Sequence, residues 1–175
     1  GGVLGGTLAV LAVRRFMRFK APLADSFALA LPVGLAMGRI GCFIGGCCFG
    51  SASTLPWAVT YPAHTHPHGE QVAAGLIDTS APLTMALHPT QLYEIVFLVT
   101  LTVVLVRNRH RFHHPGSLFL LSAGSYGAFR FLEEFLRHGG TTYAGLNPAQ
   151  WGLLLAVPAL FIGLWHREHK TGSVP

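Results

Sequence analysis

The stretch that decides the fold is residues 26–49, SFALALPVGLAMGRIGCFIGGCCF, an apolar run whose only charged residue is Arg39. A helix that crosses a bilayer needs about 20 predominantly apolar residues, so this run predicts a membrane helix. Four further apolar segments occupy residues 1–13, 88–106, 116–136 and 148–165. Because none of them alternates as a strand would, the sequence predicts an all-α, polytopic membrane helix bundle with about five transmembrane helices.

The composition excludes an ordinary soluble domain. Charged residues make up 11% of the 175 residues and hydrophobic residues 51%, whereas soluble domains average about 25% charged residues. The net charge of +5 is better explained by membrane orientation than by a polyanionic partner. We therefore expect no nucleic-acid partner.

Basic residues occupy alternate loops. Nine of the 12 Lys and Arg residues lie at 14–20, 107–111 and 167–170, while residues 50–87 and 138–147 contain none. The positive-inside rule then predicts a cytoplasmic C-terminus and a long extracytoplasmic loop at 50–87, within a single membrane domain of residues 1–175. The chain opens without Met or a signal-peptide layout, so we expect it to be the C-terminal part of a longer protein.

Six ionisable residues remain inside or at the outer edges of the apolar segments: Arg39, Glu94, Arg130, Glu133, Glu134 and Arg137. Such residues are costly in a membrane unless they face a polar cavity or one another. The spacing of Tyr126, Arg130, Glu134 and Arg137 places them on one helical face. A face with two arginines suits an anion, although a buried structural ion-pair network explains any one of these residues equally well.

Glycine and cysteine are concentrated in residues 41–50, GCFIGGCCFG. The small-xxx-small spacing along this segment predicts close helix packing, and the glycine density predicts a helix break whose backbone N–H groups would hold an oxyanion beside Arg39. Three roles are open for Cys42, Cys47 and Cys48: binding a metal, forming a disulfide or packing as small residues. They share no helical face, so a metal site would require the helix to break. We favour packing and predict no metal and no cofactor.

The loop at 50–87 carries three alternating histidines, His64, His66 and His68. On an extended segment they would point to one side and could bind a metal. The loop is rich in proline and glycine and lacks regular periodicity, so a solvated polar loop is the preferred interpretation.

Four stretches together resemble one family, the prolipoprotein diacylglyceryl transferases. They are GRIG at 38–41 with the glycine-rich run that closes at Gly50, LPWA at 55–58 with HPTQLYE at 88–94, YGAFRFLEEFLR at 126–137, and NPAQW at 147–151. Order and spacing agree along the chain, which resembles the last five of the family's seven membrane helices. Its first two glycines fall where the family has a His-Gly-Gly motif.

This resemblance implies transfer of the diacylglyceryl group from phosphatidylglycerol to the lipobox cysteine of a prolipoprotein in the bacterial inner membrane. The implied partners are phosphatidylglycerol, membrane lipid and the prolipoprotein signal peptide, with further membrane subunits left open. Arg39 and Arg130 are expected to be catalytic, because a guanidinium group grips phosphate oxygens bidentately. His88, before Pro89, is expected to be a helix N-cap or entry residue rather than a reacting group. The expected lipid-binding set is Arg39, Gly50, His88, Gln91, Tyr126, Arg130, Glu134 and Arg137.

The signature also departs from the family pattern. Cys42 stands where the family has asparagine, and Cys47 where it has an acidic residue. A thiol is a weaker hydrogen-bond donor than an amide. Two functions therefore stay open: the transferase, favoured by the retained arginines and HPTQLYE, and a non-catalytic divergent member that acts as a lipid-binding or structural subunit of a membrane complex.

Overall fold

The computed structural model describes residues 23–137 and 142–169. Five α-helices occupy these ranges: α1 (Leu23–Ile44), α2 (His66–Ala73), α3 (Thr90–Asn108), α4 (Ser117–Glu133) and α5 (Pro148–His169). Short 3-10 turns follow α3 at Arg109–Arg111 and α4 at Glu134–Leu136. The only β pairing in the described ranges consists of isolated bridges, so the all-α prediction is confirmed.

Three helices are long and apolar enough to cross a membrane: Ala24–Ile44, Thr90–Arg111 and Pro148–His169. They match the predicted segments 26–49, 88–106 and 148–165. The fourth predicted segment, 116–136, contains the shorter 17-residue helix α4, and the segment 1–13 lies outside the described residues. A polytopic helical membrane fold is confirmed, while the number of five crossings stays a prediction.

The helices present apolar side chains outward. Ile44, Val96 and Leu155 are 80%, 66% and 76% exposed, respectively, whereas Leu98 and Leu105 of α3 are fully buried. An outward apolar surface is stable where the surrounding medium is lipid hydrocarbon. The small inner core and the apolar outside are therefore those of a bundle that lipid surrounds.

Close packing between helices occurs at glycines of α4 rather than of α1. A Cβ atom added at Gly124 would lie 3.1 Å from Phe161, and one at Gly127 would lie 2.9 Å from Val157, so α5 contacts the α4 backbone. At Gly34 and Gly38 of α1 nothing in the described part of the chain lies within 4 Å of such an atom. The described residues therefore do not pack closely against these α1 glycines, where close helix packing was predicted.

One end of the bundle is joined by capping interactions. The Asp25 carboxylate at the start of α1 accepts the backbone N–H of Gly116 at 2.7 Å and that of Phe119 at 3.2 Å. Arg167, near the end of α5, donates to the Pro115 carbonyl at 2.5 Å. The start of α1, the start of α4 and the end of α5 therefore meet, as expected if successive helices alternate in direction.

The segment 50–87 is folded against the opposite end of the bundle. It contains α2 and pairs Ala52 with Leu87 and Pro62 with Leu83 in isolated bridges. The expectation of an irregular loop is wrong for His66–Ala73, which form a helix with Pro67 in the first turn. Proline fits there because the first helical N–H groups need no intrahelical acceptor.

Candidate functional site

The helix break predicted for the glycine-rich run is confirmed. α1 ends at Ile44, and the chain then turns through Gly46 (φ 66°) and Cys48 (φ 62°). A left-handed conformation costs a non-glycine residue about 1–2 kcal/mol, so other contacts must hold Cys48 in place. Thr90 Oγ1 donates to the Cys48 carbonyl at 2.7 Å, and Gln91 Nε2 donates to the Cys47 carbonyl at 2.6 Å. The first turn of α3 thus holds the break.

Most backbone amides of the break already have acceptors. The N–H groups of Gly45, Gly46, Cys47 and Gly50 donate to the carbonyls of Gly41, Phe43, Cys42 and His88 at 2.9, 3.3, 3.0 and 2.9 Å. The prediction that backbone amides of this run are free to hold an oxyanion is therefore wrong for these four residues. The N–H groups of Cys48 and Phe49 donate to no acceptor among the described residues.

Gly50 lies where three segments converge. A Cβ atom at this position would lie 2.6 Å from the Leu136 carbonyl oxygen, 2.7 Å from the His88 Cβ and 2.9 Å from the Thr90 Cγ2. Real Cβ atoms do not approach carbonyl oxygens so closely, so only glycine fits without a shift of the backbone. Gly50 therefore lets the end of α4 approach the start of α3.

Glu94 of α3 is the centre of a polar network within the bundle. Its side chain is 1% exposed, and its Oε2 lies 2.6 Å from Arg39 Nε of α1 and 3.8 Å from Arg130 Nη1 of α4. Tyr126 of α4 donates its hydroxyl to Glu94 Oε1 at 2.7 Å. One buried carboxylate thus joins three helices, and its charge is compensated by neighbouring guanidinium groups.

Arg130 is held by two more carboxylates. Its Nη1 pairs with Glu133, and its Nη2 lies 3.0 Å from Glu134 Oε2. The other Glu134 oxygen accepts a hydrogen bond from Asn147 Nδ2 at 2.9 Å, which links the network to the start of α5. Three carboxylates face two guanidinium groups here, so the network itself has no surplus positive charge.

Arg137 does not share a helical face with Tyr126 and Arg130. α4 ends at Glu133, a 3-10 turn follows, and Arg137 has an extended backbone (φ −90°, ψ 145°). The predicted stripe is therefore wrong at its last member, because a 3-10 turn changes the angle between successive side chains. No ion pair in the described ranges includes Arg137. Its charge acts on the Cys48 thiol, as does that of Arg39.

The three cysteines come together at the break. Their sulfur atoms all lie within 4.8 Å of one another, and Cys47 and Cys48 follow the last residue of the spanning helix. Burial, reinforced by the neighbouring thiols, raises the pKa of Cys47 to about 11. Burial also raises the pKa of Cys48, but the Cys47 thiol and the charges of Arg137 and Arg39 outweigh it, and the net pKa of Cys48 is lowered.

His88 is not a helix cap. α3 begins at Thr90 with Pro89 at the cap position and no side-chain cap, so of the two predicted roles the N-cap is wrong, and His88 is the residue through which the chain enters the cap. His88 Nδ1 instead lies 3.2 Å from the Tyr93 hydroxyl, which accepts a hydrogen bond from Trp57 Nε1 at 2.8 Å. His88 also lines an open cleft of about 740 Å³ with Ala52, Ser53, Thr54, Leu55, Met85 and Ala86.

The three loop histidines do not converge on one point, although the rings of His64 and His68 lie 6.4 Å apart. His66 lies on α2 and contacts Glu70 at 3.5 Å, while the buried His68 bonds the Ala81 carbonyl through Nε2 at 2.8 Å. His64 precedes the helix with a positive φ of 66°. Across residues 23–137 and 142–169, the three cysteines are the one group of His, Cys, Asp or Glu side chains placed to hold a metal.

The predicted site residues thus fall into two adjoining groups. Arg39, Tyr126, Arg130 and Glu134 share the network around Glu94. Gly50, His88, Gln91 and Arg137 surround the helix break. The predicted site set leaves out Glu94, Glu133 and Asn147. Glu94 and Glu133 are noted in the sequence as ionisable residues of apolar segments but are not assigned to the site, while Asn147 is noted only as part of the NPAQW stretch.

Four separate stretches of the chain supply this network: GRIG through Arg39, HPTQLYE through Glu94, YGAFRFLEEFLR through Arg130, and NPAQW through Asn147. The sequence model of the prolipoprotein diacylglyceryl transferase family matches residues 1–167. The chain belongs to this family. With its apolar spanning helices, it is a multi-pass membrane protein.

Curated relatives in the prolipoprotein diacylglyceryl transferase family carry the name phosphatidylglycerol–prolipoprotein diacylglyceryl transferase. The protein from Methylobacillus flagellatus is 36% identical over 172 residues, which cover 94% of this chain and 58% of the relative. The protein from Dehalococcoides mccartyi is 32% identical over 181 residues, covering 99% of this chain and 64% of the relative. The chain spans about three fifths of the length of these relatives.

Proposed function

We propose that this protein transfers a diacylglyceryl group from phosphatidylglycerol to the cysteine thiol of a prolipoprotein. The cysteine sulfur attacks the glyceryl carbon and forms a thioether C–S bond. The C–O bond to phosphate breaks, its electron pair stays on the phosphate oxygen, glycerol phosphate leaves, and the thiol proton passes to water. The observation that carries this proposal is the convergence of four family stretches on the arginine and glutamate network.

Arg39 is the better placed of the two network arginines to bind phosphate. Glu94 contacts its Nε, and no second carboxylate of the described residues pairs with Arg39. Its side chain is 19% exposed, so the guanidinium fork remains available to a ligand. A phosphodiester that becomes a monoester gains negative charge, which a bidentate arginine stabilises as the charge develops.

Arg137 supplies the second positive charge of this site. The charges of Arg39 and Arg137 both act on the Cys48 thiol, so the two side chains flank one place at the helix break. We assign the lipid phosphate to that place. Gly50 and Gln91 shape it, because Gly50 permits the close approach of Leu136 and Gln91 holds the Cys47 carbonyl.

Arg130 acts mainly through its neighbours. Both of its terminal nitrogens face carboxylates, and together with Tyr126 it neutralises and orients Glu94. In this proposal Arg130, Tyr126 and Glu134 position Arg39 through Glu94.

The prolipoprotein substrate is assigned to the cleft beside His88. This cleft opens between residues 52–55 and 85–88, at the end of the bundle that also holds the helix break. In the proposed orientation the protein lies in the bacterial inner membrane with a cytoplasmic C-terminus, and this end faces outward. The basic residues Arg107, Arg109 and Arg111 lie at the other end of α3, as the positive-inside rule requires.

The test is a transfer assay with the protein expressed from its complete gene and reconstituted with phosphatidylglycerol and a lipobox peptide. Mass spectrometry detects the thioether product. Arg39→Gln should lower the rate by about 100-fold or more, the loss typical of one charge-stabilising donor. Arg39→Lys should recover only part of it, since lysine lacks the bidentate fork.

The matched control is Arg109→Gln, which removes an exposed arginine at the opposite end of α3. It should transfer at the wild-type rate. Equal rates for Arg39→Gln and the wild type would rule out Arg39 as the phosphate ligand. A wild-type protein that forms no product in this assay would contradict the transferase proposal itself.

A second candidate is a non-catalytic lipid-binding or structural subunit of a membrane complex. It is favoured by the thiols of Cys42 and Cys47, which stand where the resemblance places an amide and an acid. This candidate predicts that phosphatidylglycerol raises the melting temperature of the wild type although no thioether forms. Further membrane subunits would then copurify with the protein from its own membrane.

A further inference from the structure

The thiol cluster of Cys42, Cys47 and Cys48 has a geometry that suits a metal ion. The three sulfur atoms lie within 4.8 Å of one another. Thiolates that share one ion at a metal–sulfur distance of about 2.3 Å lie about 4 Å apart. The sulfurs therefore need to close by about 1 Å or less to bind an ion, a shift that side-chain rotation supplies.

Contacts with the backbone of the break hold this arrangement. Cys48 keeps a left-handed conformation with φ 62°, while Thr90 and Gln91 hold the carbonyls of Cys48 and Cys47. The Cys47 N–H donates to the Cys42 carbonyl at 3.0 Å and so joins the last turn of α1 to the break. A strained conformation persists where its surroundings over-determine it, and such places are concentrated at ligand sites.

The charge around the thiol cluster also suits a metal thiolate. Three thiolates carry more negative charge than a monovalent or divalent cation neutralises, so the complex is an anion. Arg137 and Arg39 both act electrostatically on Cys48, and Arg137 has no carboxylate partner in the described ranges. Because Arg39 is paired with Glu94, Arg137 would balance part of the excess negative charge of the complex.

We propose that the thiol cluster binds one soft d¹⁰ metal ion, either three-coordinate Cu⁺ or Zn²⁺ with water as its fourth ligand. Within residues 23–137 and 142–169 no fourth His, Cys, Asp or Glu joins the three cysteines. The proposal does not rest on the transferase activity. It needs only the helix break and the three sulfurs.

The test uses the protein from its complete gene, without a histidine tag, in detergent and kept reduced under anaerobic conditions. Cu⁺ is titrated in competition with bathocuproine disulfonate and Zn²⁺ in competition with a chromophoric chelator. One ion should bind per chain, and X-ray absorption should show three sulfur neighbours at about 2.3 Å. The ion bound more tightly identifies the metal.

Single Cys→Ser variants at positions 42, 47 and 48 should each weaken binding by more than about 100-fold, beyond the 10–100-fold range typical of losing an outer-sphere partner. The matched control is the double variant His64→Gln, His66→Gln, which removes two exposed loop histidines and should bind as the wild type does. Loss of binding in this control would place the ion on the loop and overturn the proposal.

Other results would also overturn the proposal. One is a triple Cys→Ser variant that binds the metal ion as tightly as the wild type does. Another is an X-ray absorption spectrum that shows nitrogen and oxygen ligands instead of sulfur. A third is a disulfide that forms in air while the reduced protein binds neither ion. If the serine variants fail to fold, the X-ray absorption spectrum of the wild type still tests the proposal, because it identifies the atoms bound to the metal directly.

Discussion

Arg39 and Glu94 form the ion pair that joins α1 to α3, with Arg39 Nε 2.6 Å from Glu94 Oε2. Glu94 is almost fully buried, and its other oxygen accepts the Tyr126 hydroxyl. Removal of one charge from such a pair leaves the other charge without compensation, which costs more than the intact pair contributes. The stability of the bundle should therefore depend strongly on this contact.

Glu94→Gln should lower the free energy of unfolding by about 3–5 kcal/mol, the range for breaking a buried pair from one side. The amide keeps an acceptor for Tyr126 but leaves Arg39 without its carboxylate. Chemical unfolding in detergent measures the loss. The matched control is Glu70→Gln, whose carboxylate is 58% exposed beside His66 and whose loss should change stability by less than about 0.5 kcal/mol.

A double-mutant cycle separates the pair from other effects. In the Glu94→Gln background, Arg39→Gln should restore part of the lost stability, with a coupling energy of about 0.5–3 kcal/mol. Strictly additive losses would mean that the two residues do not stabilise each other.

Gly50→Ala should destabilise the protein by about 1–3 kcal/mol, as overpacking does. The added methyl group would collide with the Leu136 carbonyl and with the His88 and Thr90 side chains. The measurement is the melting temperature in detergent. Gly34→Ala is the control, because nothing in the described chain lies within 4 Å of the added atom. A Gly50→Ala protein as stable as that control would contradict the close approach at the break.

Asp25→Ala should weaken the start of α4 by about 0.5–2 kcal/mol, the usual loss when a capping side chain is removed. The Asp25 carboxylate accepts the N–H groups of Gly116 and Phe119 from across the bundle. Hydrogen exchange should therefore quicken in the first turn of α4. The control is Asp78→Ala, which removes an exposed carboxylate that accepts hydrogen bonds from Ser80 in the loop. It should leave hydrogen exchange in α4 unchanged. Equal exchange rates in the two variants would show that Asp25 does not cap α4.

The orientation predicted from the basic loops can be tested with single cysteines in a background free of Cys42, Cys47 and Cys48. A cysteine that replaces the exposed Thr54 should react with an impermeant thiol reagent from outside intact cells. A cysteine that replaces the exposed His110 should react only after the membrane is permeabilised. The reverse labelling pattern would invert the proposed topology.

The sequence by itself determined the long apolar helices and the break in α1. Apolar runs near bilayer length must form helices, because backbone polar groups inside a membrane have to bond within their own segment. The glycines at 45–46 are sufficient to predict the turn, since glycine adopts the left-handed conformation of Gly46 without strain. Local periodicity predicted the Arg130–Glu134 pair for the same reason, as its members lie one helical turn apart.

Only the tertiary structure decided which residues meet across helices. Arg39 and Glu94 are 55 positions apart, and their pairing depends on how α1 and α3 pack. The 3-10 turn after Glu133 moved Arg137 off the α4 face and toward Cys48. The three sulfurs converge because Thr90 and Gln91 of a different helix hold the broken end of α1. Spacing along one segment describes contacts within that segment, whereas these contacts depend on the rotation and depth at which separate helices pack.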